Sequence, residues 1–365
     1  MGFQLLSFVF RVGGLIAASP PSTNLSPPTW TRKVYNMMIF ALFVYRIVSL
    51  MKAREFFLTR ERINLIEYNL TYWSTCAQNF YIMVVLNLYK HNKWVRLLEC
   101  LKTSGELLQI PNNKKSKPFI IFFTTNLLHL TVNGGILYIL SWARTNYLQE
   151  YFVIHFHIYL DFFNKCLSYV ILQMITTRYK RLRRIILTNT KKSQIRPSFL
   201  KKVEYSVRFL KNTVDAYNDL FGWSVFFTIA FTILHIINAV TYLLFMPGSL
   251  NFFQQILIQL SLIFGILSST IALLFAYDSV LKEFDKIVSV CLGIEHSCSA
   301  TILEELKVKQ FKNYVLKNSP KFTAASFFGV GRWTILSFFS IFVDFLIVVV
   351  QALSFQKSNL NVYLA

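Results

Sequence analysis

The chain is short of charge, and shortest of negative charge. Charged residues make up only 15% of its 365 residues, with 17 Asp and Glu against 38 Lys and Arg. A soluble globule carries about 25% charge, so a chain bathed only in water is disfavoured from the start. Signatures of chemistry are missing as well. There is no H-E-x-x-H, no G-x-S-x-G, no G-x-x-x-x-G-K-[ST] and no glycine-rich phosphate loop. The six histidines show no metal-ligand spacing apart from His155 and His157, which point to opposite sides of a helix. Neither an enzyme nor a cofactor is expected. The five cysteines (Cys76, Cys100, Cys166, Cys291, Cys298) are odd in number and include no CxxC pair, so no disulfide framework or zinc site follows.

What fills the chain is apolar: 54% hydrophobic and 16% aromatic residues, 36 of them Phe, with a mean hydropathy of +0.45. Crossing about 30 Å of hydrocarbon takes about 20 mostly apolar residues. Seven blocks qualify: 34–51, 68–89, 119–142, 151–177, 221–246, 252–277 and 333–355. Arg46 interrupts the first, and Gln78 and Asn79 make the second the weakest. The first 19 residues could pass for a signal peptide, but Arg11 breaks the apolar run and no basic residue precedes it, which favours an interfacial N-terminal helix. Prolines 20, 21, 27 and 28 then mark an extended linker. The connections 178–219 and 279–332 keep helical spacing and should continue as helices beyond the membrane.

A net charge of +21 would ordinarily raise nucleic-acid binding. Here the basic residues sit in short stretches between the apolar blocks, as in cytoplasmic loops, so no nucleic-acid partner is expected. The stretches flanking the blocks on one side (1–33, 90–117, 178–219, 279–332) hold 30 of the 38 Lys and Arg, and those on the other side hold 6. The basic side should be cytosolic. The expected fold class is therefore an all-α integral membrane protein of seven transmembrane helices, N-terminus cytosolic and C-terminus extracellular, with cytosolic helical extensions. G-protein-coupled receptors thread the other way up, and the chain lacks their D-R-Y and N-P-x-x-Y motifs.

Two stretches carry a family likeness. Phe322-Thr323-Ala324-Ala325-Ser326-Phe327-Phe328 resembles the F-T-A-x-x-F-F run that leads into the last span of insect gustatory receptors, and Tyr217-Asn218-Asp219-Leu220-Phe221-Gly222 resembles the same family's run into span five. The last span ends in a degenerate form of the family's T-Y-(five apolar)-Q-F signature. Asp344 and Phe345 stand for Thr and Tyr, Leu346–Val350 supply the apolar five, Gln351 is kept, and Ala352 replaces Phe. The resemblance covers the whole chain in span number, length and long sixth connection. It implies a ligand-gated cation channel, thought to be a tetramer with the last span lining the pore. The implied organisation is a cytosolic segment 1–33, a ligand-binding bundle 34–278, a cytosolic helical anchor 279–332, and a pore helix with extracellular tail 333–365.

Within that frame, Ser337, Asp344 and Gln351 recur every seven residues. They form one polar stripe that drifts only about 20° per step, with Ser340 beside it. An aspartate at membrane depth should face protein or water. The stripe is a candidate pore lining, or a set of structural hydrogen bonds to a neighbouring helix. A second polar and aromatic set falls in the outer halves of the other spans: Tyr72, Trp73, Asn133, Tyr138, His155, Tyr159, Asp161, His235, Asn238, Tyr242, Gln255 and Gln259. Aromatic walls with a few convergent polar groups describe a small-molecule pocket. Interhelical hydrogen bonding and an interfacial belt are the bland alternatives. Asp161 and Lys165, four apart, should pair. Asn126, His129 and Asn133 share one face of span three. Arg178, Lys180, Arg181, Arg183 and Arg184 form a juxtamembrane cluster suited to anionic lipid. Asn69-Leu70-Thr71 is a glycosylation sequon close to the membrane.

The functional expectation is a taste receptor of the plasma membrane of sensory-neuron dendrites. It would be gated by a small-molecule tastant of bitter type, embedded in membrane lipid, and assembled as a homo- or hetero-tetramer with related subunits. A seven-span receptor or non-conducting subunit that signals through a partner is the alternative. A transporter is disfavoured by the lack of an inverted repeat.

Overall fold

The computed structural model describes residues 3–20, 27–57, 62–110, 117–143, 147–190, 197–245, 252–297 and 302–337, and positions 339–341, 343, 344, 347 and 351 of the last helix. The helices in order are α1 Phe3–Leu15, α2 Trp30–Phe57, α3 Arg62–Phe80 continued by a π-helical segment Tyr81–Tyr89, α4 His91–Leu107, α5 Lys117–Ala143, α6 Tyr147–Thr190, α7 Pro197–Phe245, α8 Phe252–Ser297 and α9 Ile302–Lys317. A two-stranded antiparallel hairpin follows, β1 Thr323–Ala324 and β2 Phe328–Gly329, and the last helix starts at Arg332.

In the apolar blocks many large apolar side chains face outward, while a set of polar ones turns inward beside an apolar core, unlike the surface of a soluble bundle. On α2 and α5 the exposed side chains are Met37, Met38, Leu42, Ile121, Phe123, Leu127 and Leu128, among others. On α3 and α6 the buried ones include Gln78, Asn79, His155, His157, Asp161, Asn164, Lys165 and Ser168. Such a pattern suits lipid outside and paired polar groups within. It also explains the hydropathy. Among the described residues, four stretches are long and apolar enough to span a membrane: Trp30–Lys52, Ile120–Ile139, Ser198–Thr241 and Ile256–Ile294. Blocks two and four coincide with α3 plus the π segment and with α6. Their mean hydropathy is lowered by the very polar residues that turn inward.

The long connections are helical over 178–190, 197–219, 279–297 and 302–317, but the end of the second, read as helix from the sequence, is instead the β1–β2 hairpin, which Ala325 and Ser326 turn with left-handed backbone. α6, α7 and α8 have 44, 49 and 46 residues, so they run about 65–75 Å, more than twice the hydrocarbon thickness. The C-terminal end of α6, the N-terminal end of α7 and the C-terminal end of α8 pack together with α9 at one end of the bundle, here called the extended end.

The juxtamembrane cluster divides on closer view. Lys180 and Arg184 are exposed, but Arg178 is buried. Its guanidinium donates to Ser104 Oγ at 2.7 Å and to the carbonyls of Met174 and Leu101 at 2.8 and 2.5 Å. Burial lowers its pKa to about 10, so it stays a cation that ties α6 to α4 and does not meet lipid. Arg183 reaches Glu283 of α8 at 3.2 Å, and Lys286 bonds the same carboxylate at 2.7 Å. Burial pushes the Glu283 carboxyl up, but the Lys286 hydrogen bond and the charges of Arg183, Lys286 and Lys180 outweigh it and hold the pKa below its ordinary value.

α1 packs against the bundle through one face. Leu5, Leu6, Val9 and Phe10 are buried, with Phe10 edge-on to Trp94 at 5.2 Å and Phe8 edge-on to Phe122 at 6.5 Å. A Cβ on Gly13 would stand 2.6 Å from the Phe163 ring, so only glycine allows α1 this close to α6. The helix is closed by Ala17 at φ 57°, with Ala18 N–H donating to the Gly13 carbonyl at 2.7 Å, a left-handed C-terminal cap. One apolar face of α1 is thus taken up by its own chain between α4, α5 and α6. The sequon lies within α3 with Thr71 buried.

Candidate functional site

The inner face of α6 carries polar residues at 157, 161, 164 and 168, a spacing of four, three and four that keeps them on one side of the helix. Each meets a partner on a neighbouring helix. His157 Nδ1 and Asn79 Oδ1 are 2.8 Å apart. Asp161 takes Lys165 Nζ on Oδ2 at 2.5 Å, and on Oδ1 it takes Gln78 Nε2 at 2.5 Å and Thr228 Oγ1 at 3.0 Å. Lys165 also reaches Ser269 of α8 at 3.3 Å. Asn164 donates to Ser224, and the Ser168, Tyr217 and Tyr277 hydroxyls form a chain, with 2.6 Å between the two tyrosine oxygens. A polar ladder thus runs down the bundle from α3 and α6 to the extended end.

This geometry bears on each predicted residue. Asp161 and Lys165 do pair, both buried. Three of the roughly four acceptor positions of the carboxylate are used inside the chain, which leaves it a structural lock more than an amine receptor. His155 and His235 lie within electrostatic range of each other, and His235 also of the Asp161–Lys165 pair. His235 stacks on Phe231 at 5.6 Å, and His157 meets the same ring edge-on at 4.4 Å. Tyr159 is half-buried and faces His129, which stacks flat on Phe162 at 3.9 Å. Asn238 and Gln259 are half-buried on α7 and α8. Tyr72 is buried with Phe43, Ile47, Leu50 and Val153. Asn133 is buried, with its amide donating to the His129 carbonyl of its own helix at 3.0 Å. Trp73 and Tyr138 are not brought to this cluster: they are 61% and 63% exposed. The side chains of Tyr242 and Gln255 lie outside the described residues. Among the described residues no group of three or more His, Cys, Asp or Glu could hold a metal.

Sequence reasoning missed Gln78, Asn79, His157 and Thr228 as members of the site. The signal was present in the first two, which weakened block two as a span. Adjacent amides at membrane depth have to find partners, and α6 supplies both.

On the last helix, Ser337, Asp344 and Gln351 are exposed, as are the described side chains at 336, 339–341, 343 and 347. Beyond Thr334 and Ile335 in its first turn, the described part of this helix is not covered by its own chain. The two stretches that carried the family likeness are in contact with each other. Ala325 N–H donates to the Gly222 carbonyl at 3.0 Å, Asn218 Nδ2 donates to the Lys321 carbonyl at 2.6 Å, and Phe322 packs between Tyr217 and Tyr277 at 5.7 and 4.9 Å.

No curated protein matches by sequence. By fold, the chain is similar to the insect olfactory receptor OR5 from Machilis hrabei, at 12% identity and TM-score 0.66, covering 96% of this chain and 97% of that one. The same receptor in complex with eugenol matches at 12% identity and TM-score 0.65 with the same coverage. The family model for the 7tm chemosensory receptor matches residues 3–352, nearly the whole length. The protein belongs to the 7tm chemosensory receptor family.

Proposed function

We propose that the protein is a gustatory receptor, a ligand-gated non-selective cation channel of sensory-neuron plasma membranes, gated by small aromatic tastants of bitter type. In this reading the N-terminus and the extended end are cytosolic, and the subunits form a homo- or hetero-tetramer. The observation that carries the channel reading is the last helix: Ser337, Asp344 and Gln351 are left exposed by the rest of the chain. Asp344 lies 12 residues beyond Arg332, about 18 Å into a hydrocarbon layer of about 30 Å. A carboxylate facing lipid there costs several kcal/mol, whereas four around a water-filled axis would attract cations.

The tastant would sit in the half of the bundle away from the extended end, contacting Tyr72, His155, Tyr159, His235, Asn238 and Gln259. Stacked rings at Tyr159, His129 and Phe162, and at Phe231 and His235, suit a flat organic molecule. Eugenol in the OR5 complex is of that class. Binding that favours the open state would shift the gate by its differential affinity. The test is current recording from cells that express the receptor alone and with related subunits, challenged with a panel of bitter compounds. Cation currents with a selective ligand profile are expected. Silence across the panel, with surface delivery proven, would refute the channel reading.

A further inference from the structure

The hairpin that leads into the last helix is built against the preferences of its own residues. Ala325 and Ser326 are both left-handed, at φ 49° and 66°, and Phe327 N–H closes the turn on the Ala324 carbonyl at 2.9 Å. This conformation favours Asn-Gly, and side chains other than Gly and Asn hold it at a cost. What holds it is α7. Ala325 N–H bonds the Gly222 carbonyl, and a Cβ on Gly222 would stand 3.2 Å from Ala325 N and 3.3 Å from the Thr323 carbonyl, tight enough that the hairpin backbone would have to give by a few tenths of an ångström. The Phe327 ring lies against Trp223 at 5.8 Å and Phe226 at 5.5 Å. The next residues are fastened elsewhere. Arg332, at the start of the last helix, reaches Asp278 of α8 at 3.2 Å, with Lys282 on the same carboxylate at 2.7 Å. Thr334 caps this turn through Gly331, donor and acceptor both ways, at 3.2 and 3.1 Å.

One short segment is therefore held at its tip by α7 and at its exit by α8, two of the three longest helices. If α7 slides against α8, the segment must carry the last helix with it or leave its seat. The polar ladder on α6 ends at the same place, where Tyr217 and Tyr277 clasp Phe322.

The geometry points to a coupling clamp: the hairpin Thr323–Gly329, seated on Gly222, sets the position of the first turns of the last helix, and its strained Ala325–Ser326 turn makes the seat reversible. Gly222, Ala325 and Ser326 are positioning residues in this account. The link from clamp to gate rests on the channel reading above.

The test uses the full-length receptor in liposomes, without ligand. Ser337 is changed to Cys, and its rate of modification by a cationic methanethiosulfonate reagent is measured, with the same variants lacking Ser337→Cys subtracted to remove the five natural cysteines. Ser326→Gly relaxes the turn and favours the seated state, by about fivefold for one left-handed position. Gly222→Ala crowds the seat and should disfavour the seated state. The two variants should move the labelling rate in opposite directions, each by about threefold or more. Should Gly222→Ala fail to assemble, Ala325→Gly replaces it and must move the rate the same way as Ser326→Gly. Opposed variants shifting the same way, or folded variants with no shift, would overturn the clamp. Cation flux in the same liposomes separates the two ideas. Labelling shifts with no flux in any variant would keep the clamp and remove the channel, and flux without labelling shifts would do the reverse.

Discussion

The Asp161–Lys165 pair offers the sharpest test of how the bundle is held together. Both side chains are buried, 2.5 Å apart, and the carboxylate also takes Gln78 and Thr228. Removing either charge alone leaves the other unpaired in a low-dielectric interior, a loss of about 3–5 kcal/mol, whereas removing both is often close to neutral. Lys165→Met should therefore destabilise strongly, and Asp161→Asn similarly, since the new amide keeps an acceptor for Gln78 and Thr228 but cannot balance the ammonium. The double variant should recover most of the loss. For a chain of this size about 1 kcal/mol shifts Tm by about 2 °C, so each single change should lower Tm by about 5–10 °C and the double by about 3 °C or less. The assay is thermal unfolding in detergent, followed by the loss of the monodisperse peak on size-exclusion chromatography. Because the residues touch, the cycle should show a coupling of about 5 kcal/mol or more in size, the two single losses together less the small loss of the double variant. Additive losses, with the double variant worse than either single, would show that the two charges do not depend on each other and that the ladder through α6 has been misread.

Three further outcomes are expected. Asp344→Asn should lower the preference for cations over anions several-fold, read as a shift of reversal potential in a salt gradient, while the half-maximal ligand concentration stays put; unchanged selectivity would place Asp344 off the pore. Glu283→Gln should cost about 2–3 kcal/mol at neutral pH by leaving Arg183 and Lys286 without their carboxylate. Because the folded-state pKa of Glu283 lies below its ordinary 4.5, the wild-type advantage is full above that value and fades as pH falls below it, so the Tm gap to Glu283→Gln should be constant from pH 7 to about 5.5 and close under stronger acid. A tag on residue 1 should stain only after cells are permeabilised; staining of intact cells would invert the proposed orientation.

Much of the architecture was legible because lipid-facing helices announce themselves by length and apolarity. Blocks 34–51, 119–142 and 252–277 sit within α2, α5 and α8, each helix extending past its block. The connection 178–219 and the first part of 279–332 were legible as helix from their spacing, whereas the hairpin at 323–329 was not. The mutual rotation of the helices was not. Asn79 meets His157 and Gln78 meets Asp161 only because α3 and α6 face each other at that level, and no single helix's periodicity encodes its neighbour's phase. Rotation also separated the aromatic candidates: Tyr72 turned inward, and its neighbour Trp73 turned out. For α1, the sequence showed an apolar helix interrupted by Arg11 but not the cleft between α4, α5 and α6 that receives it. Gly13, against the Phe163 ring, was the residue that could have revealed it.

The exposed faces of the chain are of two kinds, and the difference argues for assembly. α5 presents Ile, Leu, Phe and Val, with the hydroxyls of Thr124, Thr125 and Thr131 bonded back to their own helix, which a bilayer accepts as it stands, and α2 presents Met, Leu and Val with a single exposed charge inside its apolar block, Arg46. The last helix presents Trp333, Leu336, Phe339, Ile341, Val343 and Ile347 together with Ser337, Ser340, Asp344 and Gln351. Hydrocarbon satisfies the first group and penalises the second, so no placement of this helix in lipid alone is favourable for a single chain. In the channel proposed above, a ring of copies would resolve the conflict: apolar residues would pack between subunits while the polar stripe turned to a shared aqueous axis. In that arrangement subunit contact and ion path are two faces of one helix. A substitution that weakens assembly there, such as Phe339→Ala, should then also disturb conduction, whereas an equal truncation on the lipid face of α5, such as Phe123→Ala, should leave both unchanged.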